Sequence, residues 1–336
     1  MATAETARLT WGVLGTGGIA HNFATGVAAS ETGTVLAVGS RTQDAADRFG
    51  DTFGIERRYP SYDALLADPA VQAVYIALPN SMHAEWAIAA ARAGKHILCE
   101  KPFTTNAAEA ERVIEEVRRQ DVFLLEAFLY RCHPQTARLA ELIREGAIGA
   151  VRLIECRFTF DLGPQYDNIR LSNALAGGGI MDVGCYVASL AMLAAGAAPI
   201  EIKGLAHIGE RSRVDEWATA NLLFPGGAIA SLVCGTQVAS ERALWVWGAE
   251  GSIHVPEPWN PSGENSRIIV RKKGAEPQEI ALAKGGDAWA LAVDTVARHI
   301  PARQVPAPGM TWDDTLATMR ALDRWRHAVG LVFAGE

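Results

Sequence analysis

Residues 12 to 20 read GVLGTGGIA, a glycine-rich turn between the apolar run TWGVLG and an amphipathic stretch from about Gly18 to Ala29. This succession of strand, glycine turn and helix constrains the fold more than any other feature of the chain. In the pattern Gly15-x-Gly17-x-x-Ala20, Gly15 permits the tight turn and Gly17 lets the backbone approach a pyrophosphate. The small Ala20 lets helix and strand pack closely, and Thr16, Gly18 and Ile19 complete the loop. A helix N-terminus carries unpaired N–H groups and the positive end of the macrodipole, so it suits a phosphate. The same rhythm continues. TVLAVGS, AVQAVYIAL, KHILCE and VFLLEAF read as strands, and HAEWAIAAARAG and AAEAERVIEEVRRQ as helices. Apolar strands alternating with helices predict a parallel sheet covered on both faces. Residues 1–128 are therefore expected to form a doubly wound, dinucleotide-binding α/β domain.

The end of the second strand selects the cofactor. A site for NAD usually offers a carboxylate there to the ribose 2′-hydroxyl. This chain reads VGSRTQDAADRF, with Ser40 and Arg41 at that place. A hydroxyl beside a guanidinium suits a 2′-phosphate, so NADP is expected ahead of NAD.

Beyond Ile148-Gly149 the pattern changes. VRLIECRFTFD, IEIKGLAHIG, EWATANLLFP, AIASLVCGTQ, ALWVWGA and RIIVRKK read as successive strands, while GAEGSIHVPEPW has turn chemistry. Long alternating strands with few helices between them predict an α+β domain over residues 129–336, built on a large, mostly antiparallel, open-faced sheet. Two late stretches, DAWALAVDTVARHI and WDDTLATMRALDRWRHAV, read as helices that pack back on the body, the first domain included. Trp245, Trp247 and Trp259 belong to core, interface or pocket, with core or interface favoured. A second glycine cluster, GGGIMDVGCY at 177–186, lacks a preceding strand and follows the loop-like DLGPQYDNIRLSNALA. It therefore reads as the close-packed start of a helix near Ile180 and not as a second phosphate loop. Asp182 and Tyr186, four residues apart, would share one face of that helix. Asp182, in the first turn, could also cap it.

Bulk properties exclude several function classes. A net charge of −7 argues against a nucleic-acid or anionic-membrane surface. No uninterrupted apolar run reaches the roughly 18 residues of a membrane span, and LAMLAAGAA reads as a buried helix. MATAETARLT has no basic start followed by an apolar core, so no secretory signal is expected. Five scattered cysteines, Cys99, Cys132, Cys156, Cys185 and Cys234, lack metal or redox spacing. They read as reduced thiols of a cytoplasmic protein, and no metal is expected.

CEKPF at 99–103 follows a strand of the first domain. Together with the glycine turn, LPNSMHAEW, GKHILCEKP, EAFLYRCHPQ and GGGIMDVGCY, it resembles the glucose–fructose oxidoreductase/inositol dehydrogenase (Gfo/Idh/MocA) family over nearly the whole chain. DVGCY and EAFLYR-HP are most similar to its dihydrodiol/aldose dehydrogenase branch. The resemblance implies that Lys101, Asp182 and Tyr186 form the catalytic set. It implies that Leu78, Pro79, Asn80, His83, Glu100, Lys101 and Arg170 border the cofactor, and that Leu129, Arg152 and Phe158 wall the substrate pocket. His83 could instead serve only to begin a helix. Where some relatives carry an aromatic in EAFL, this chain has Leu129. The resemblance also implies a homodimer or homotetramer built on the C-terminal sheet.

The residues support these expectations in their own right. Lys101 sits at the C-terminal rim of a parallel sheet, where open α/β sheets bind ligands, and Pro102 would fix its backbone. The expected activity is hydride transfer between NADP and a hydroxyl carbon of a sugar or cyclic diol, an aldose oxidised at C1 being favoured. A trans-dihydrodiol dehydrogenase, a sugar oxidoreductase that keeps its cofactor bound, and a non-catalytic sugar or NADP sensor are the alternatives. A sensor would be expected to have lost Lys101, Asp182 or Tyr186, and all three are present.

Overall fold

The structure is a computed structural model and describes residues 8–261, 265–282 and 286–336. The chain divides into two compact units. One gathers the residues up to Phe103 with Ala108–Cys132 and Gly286–Trp312, and the other comprises Thr104–Ala107, His133–Gly285 and Asp313–Glu336.

In the first unit, β1 (Leu9–Leu14), β2 (Gly33–Gly39), β3 (Arg57–Tyr59), β4 (Ala73–Ile76), β5 (His96–Cys99) and β6 (Leu124–Glu126) form one sheet. All pairings are parallel and the order is β3-β2-β1-β4-β5-β6. This is the doubly wound arrangement that the glycine turn and the strand rhythm predicted. Its order reverses between β1 and β4, the crevice where such sheets bind dinucleotides. Helices α1 (Gly18–Val27), α2 (Gln43–Phe53), α3 (Tyr62–Leu66), α4 (His83–Arg92) and α5 (Ala107–Arg119) supply the crossovers. The strand residues of β1 and β4 are almost wholly buried, as a sheet covered on both faces requires.

The second unit opens with α6 (Pro134–Arg144), which has Pro134 in its first turn and His133 as its cap. Then follow β7 (Val151–Thr159), α7 (Cys185–Ala195), β8 (Glu201–Ile208), β9 (Asp215–Leu223), β10 (Ile229–Gly235) and β11 (Ala243–Gly248). Strands β12 (Gly251–Val255), β13 (Arg267–Lys272) and β14 (Gln278–Ala281) complete a sheet in the order β14-β13-β12-β11-β7-β10-β9-β8. Within this sheet only the β7–β10 pair is parallel among the described residues. GAEGSIHVPEPW, read from sequence as turn chemistry, contains β12. Its glycine and proline flanks hid a short strand that pairs on both sides. One face of the sheet is buried through Ile154, Cys156, Ala218, Leu222, Leu232 and Val246. The stretch Asn173–Ala195 is long and apolar enough to cross a membrane by length and composition, yet 83% of its most apolar window is buried.

Of the late helices, α8 (Ala288–His299) lies in the first unit. Its Trp289 meets Phe23 and Tyr75 edge to face, while those two rings stack at 4.2 Å. Each such pair adds about 0.5–1.5 kcal/mol beyond area burial. Ser30 and Thr32 hydroxyls both donate to Asp294 of α8 at 2.6 Å. Helix α9 (Trp312–Val329) belongs almost entirely to the second unit.

Candidate active site

The turn after β1 has the geometry that its residues suggested. Gly15 has φ of 100°, and a Cβ there would lie 2.6 Å from the Ala77 carbonyl oxygen. Only glycine combines that backbone with that approach. Ala20 is fully buried against the sheet. Gly17 begins α1 without any side-chain cap, and α1 has no acidic residue in its first turn. Gly17, Gly18 and Ile19 are exposed, and an added Cβ at either glycine would meet nothing within 4 Å. A positive helix end facing open space, beside an exposed isoleucine, suits a bound anion with an apolar neighbour.

At the end of β2, Ser40 is buried and its hydroxyl lies 3.3 Å from that of Thr16. Arg41 is exposed and has no ion-pair partner among the described residues. The carboxylates nearest in sequence are engaged elsewhere, Asp44 with Arg48 and Asp47 with Gln43 and Arg58. Thr42 already caps α2 by accepting from the Ala45 N–H.

At the rim of β4 and β5, Lys101 is half-buried and its peptide bond to Pro102 is cis. Glu100 accepts from the Tyr75 hydroxyl at 2.7 Å and from the Lys101 N–H at 3.3 Å. Glu126, deeper still, accepts the Phe103 N–H at 2.9 Å. Leu78 packs beside Gly15, and Pro79 leads into the short turn Asn80–Met82. His83 begins α4 and is fully buried. Its Nδ1 lies 2.9 Å from the Pro102 carbonyl oxygen and its Nε2 lies 2.8 Å from that of Leu78. Burial lowers its pKa, and the neutral ring has one N–H to donate to one of these two carbonyls. His83 is thus a strut that ties the loop after β4 to the Lys101-Pro102 turn. Leu129 is half-buried and opens the short turn Leu129–Cys132, and the flanking rings of Phe128 and Tyr130 meet edge to face at 5.8 Å.

In the second unit the GGG segment is filled by protein. The helix there begins with a π-helical turn, Ile180–Gly184, before α7. Such turns bond i to i+5 and recur at functional sites. The wider repeat rotates Tyr186 relative to Asp182 from the position that a regular α-helix would give. Asp182 does not cap this helix. Its Oδ2 accepts from Arg170 Nε at 2.8 Å, with the Asp182 side chain only 11% exposed. Tyr186 is half-buried and meets Phe158 and Trp259 edge to face at 5.3 and 5.8 Å. Phe158 and Trp259 stack on each other at 5.3 Å, and the Arg242 guanidinium lies 4.9 Å from the Phe158 ring centre.

One sequence expectation changes here. Arg152 is not brought to this aromatic wall: it is exposed near the start of β7, six residues before Phe158. At the rise of an extended strand that is about 20 Å. Trp259 is buried, as the favoured core reading had it, and its ring packs beside Tyr186 with its Nε1–H donating to the Arg157 carbonyl. Trp245 stacks on Trp247 and on His254, all on the open sheet face. Asp215, unnoticed in the sequence, lies beneath the glycine turn and is fully buried.

Comparison with known proteins follows the same division. Residues 9–128 match the model described as "Oxidoreductase family, NAD-binding Rossmann fold", and residues 136–254 match "GFO/IDH/MocA C-terminal domain". The chain is 44% identical over 250 residues to D-xylose 1-dehydrogenase (NADP(+)) 2 of Haloferax volcanii, covering 74% of this chain and 76% of that one. It is 34% identical over 259 residues to the trans-1,2-dihydrobenzene-1,2-diol dehydrogenase of Mus musculus, covering 76% of each. Among solved structures it is similar to a 3-ketoreductase from Actinomadura kijaniata in complex with NADP and TDP-benzene. The TM-score is 0.87 at 29% identity, over 96% of this chain and 98% of that one.

Proposed function

The chain belongs to the GFO/IDH/MocA oxidoreductase family, and on that premise we propose that it is an NADP-dependent dehydrogenase of sugars. In this reading it oxidises the C1 hydroxyl of a pyranose to the lactone. NADP, when bound, supplies the hydride acceptor. The residues present fit such a cofactor: the uncapped end of α1 suits the pyrophosphate, and Ser40 with Arg41 suits the 2′-phosphate.

Removing a hydride from a carbinol also removes the hydroxyl proton, so a base must accept it. We assign that role to Tyr186. A phenol in water ionises near pH 10, and a neighbouring cation favours its ionised form. Lys101 is assigned to supply that charge. Asp182, paired with Arg170, is assigned to orient the substrate hydroxyl. The observation that most supports the reading is the setting of Tyr186, a polar phenol oxygen on a ring packed against Phe158 and Trp259. A phenol oxygen set among apolar rings matches the usual make-up of a small-molecule site, apolar walls with a few placed polar groups. The same wall favours a second reading, oxidation of a cyclic trans-diol.

Turnover of aldoses, polyols and cyclic diols with NADP and NAD, followed by nicotinamide absorbance, separates the two. Tyr186→Phe should lower kcat by about 10²–10⁴, the usual worth of a general base. NADP affinity should be retained. A near-normal kcat would remove Tyr186 from the proton-accepting role.

The second unit also supports a proposal about assembly. The outer face of its sheet exposes Leu153, Leu205, Trp217 and Ile229, at 43, 78, 41 and 44%. Register places Leu153 opposite Ile229 on that face, and Leu205 beside the strand bearing Trp217. We propose that this face joins two or more copies of the chain. Light scattering should give at least a dimer; a monomer at micromolar concentration would overturn the proposal.

A further inference from the structure

The three glycines at 177–179 leave room that a side chain from elsewhere in the sequence occupies. Asp215, the first residue of β9, is wholly buried, and its Oδ2 accepts the Ile180 N–H at 2.7 Å. Ile180 opens the π turn, and no side chain of the preceding residue caps it. A Cβ at Gly178 would lie 2.2 Å from Asp215 Oδ1. One at Gly179 would lie 3.1 Å from Oδ2 and 3.1 Å from the Gly235 Cα. The glycines and the carboxyl are therefore one packed unit.

That unit is linked to the functional side chains in two ways. The Gly178 carbonyl accepts the Asp182 N–H at 2.9 Å, and the Gly178 N–H donates to the Arg170 carbonyl at 2.8 Å. Arg170 in turn holds the Asp182 carboxylate. A shift of residues 178–180 would carry Asp182 with it, and Tyr186 one turn later. Meanwhile Asp215 Oδ1 has no hydrogen-bond partner among the described residues.

We propose that Asp215 is a positioning residue, which fixes the start of the helix carrying Asp182 and Tyr186 by filling the space left by the glycines and holding the Ile180 N–H. Burial pushes its pKa up to about 8, against the backbone N–H groups that favour its ionised form. The proposal rests on the reading of Tyr186 as the proton acceptor, and the test separates the two.

Asp215→Asn keeps an acceptor of the same size, while Asp215→Ala removes it. Each is measured alone and with Tyr186→Phe, with kcat, KM and NADP affinity determined for every variant. Asp215→Ala should lower kcat by about 10–100-fold, the cost of a misplacement of order 1 Å. Asn should restore most of it, and NADP affinity should hold in both. On Tyr186→Phe, the Ala change should cost less than about threefold further, because the two act as one unit. A full additional loss there, or wild-type kcat in a folded Asp215→Ala enzyme, would overturn the proposal. Hydrogen exchange of residues 178–186 gives a readout independent of activity, with faster exchange expected in Ala and not in Asn. Unchanged exchange in Ala would overturn the positioning role even with Tyr186 confirmed. Should Tyr186→Phe keep its kcat, the functional reading falls, and exchange still decides this one. If Asp215→Ala does not fold, Gly179→Ala presses the same carboxyl from the other side. Lowered kcat with unchanged NADP affinity is expected, and wild-type kcat would overturn the proposal.

Discussion

A methyl group added at Gly17 or Gly18 would meet nothing within 4 Å, whereas at Gly177 it would fall 2.6 Å from the carbonyl oxygens of both Ile169 and Arg170. The two glycine clusters look alike in sequence and differ in what occupies the space they leave. After β1 the backbone is bare toward the outside, and the helix end it exposes carries no cap. At 177–179 the bare backbone faces inward, and the chain's own carbonyls and Asp215 take up the room. Glycine absence of side chain thus serves a ligand in one case and a packed helix start in the other. The preceding element decides which. A buried parallel strand brings Gly15 to a sheet rim, while Gly177 follows a loop folded back on itself through the Gly177 N–H to Ser172 carbonyl bond of 2.9 Å.

Matched alanine substitutions break this comparison most sharply. Gly178 has φ of 106°, and its Cβ would collide with the Asp215 carboxyl at 2.2 Å. Left-handed strain and overpacking together should destabilise Gly178→Ala by about 2–5 kcal/mol. Gly17 has φ of −76°, which alanine adopts freely. Gly17→Ala should therefore change stability by less than about 0.5 kcal/mol, the usual limit for an exposed site. It should instead weaken cofactor binding, because the methyl group stands where the backbone approaches the pyrophosphate. Urea unfolding without cofactor, followed by NADP titration, reads both. Equal losses of stability in the two variants would erase the distinction between them.

Much of this contrast was legible in the sequence, because it depends on local order. The strand before Gly15 and the helix after Ala20 announce themselves by apolar periodicity, as does the alternation that gives the parallel sheet. The second unit was less legible. Alternation marks β7 to β11 as strands, but it does not say that β7 pairs parallel with β10 at the centre of the sheet. β12 is short and bounded by Gly251 and Pro256, so its residues resemble a turn until both neighbours are in place. Long-range contacts were the least legible. Asp215 reaches the glycine turn across 35 positions of sequence from Ile180, and nothing in DEWATANLL marks its first residue as different from any strand-edge acid. Trp259 reaches Tyr186 only because the segment after β12 folds over Phe158. Arg152 was misplaced for the opposite reason, since it shares a strand with Phe158 but stands too far along it.

The outward-facing character of the first cluster extends to its neighbour on β2, and the cofactor's 2′-position sharpens the comparison from that side. Ser40 is fixed by its N–H to the Tyr59 carbonyl at 3.1 Å and by the contact of its hydroxyl with Thr16. Arg41, next in sequence, is exposed, and the acids that follow it are bound to Arg48, Gln43 and Arg58. Its backbone thus follows a fixed neighbour, and its exposed side chain is open to an outside anion. Near Gly177, by contrast, Arg170 is already paired with Asp182. Arg41→Ala should weaken NADP by about 1.5–3 kcal/mol, the range for hydrogen bonds to charged groups. That corresponds to roughly 10- to 150-fold in Kd. NAD lacks the 2′-phosphate and should lose little, and unfolding in the absence of cofactor should be unchanged. Calorimetric titration of both cofactors against the wild type and the variant measures each term. Equal weakening of NADP and NAD would make Arg41 a structural part of the turn, and the preference for NADP would then have to come from Ser40 or from another residue on the same rim.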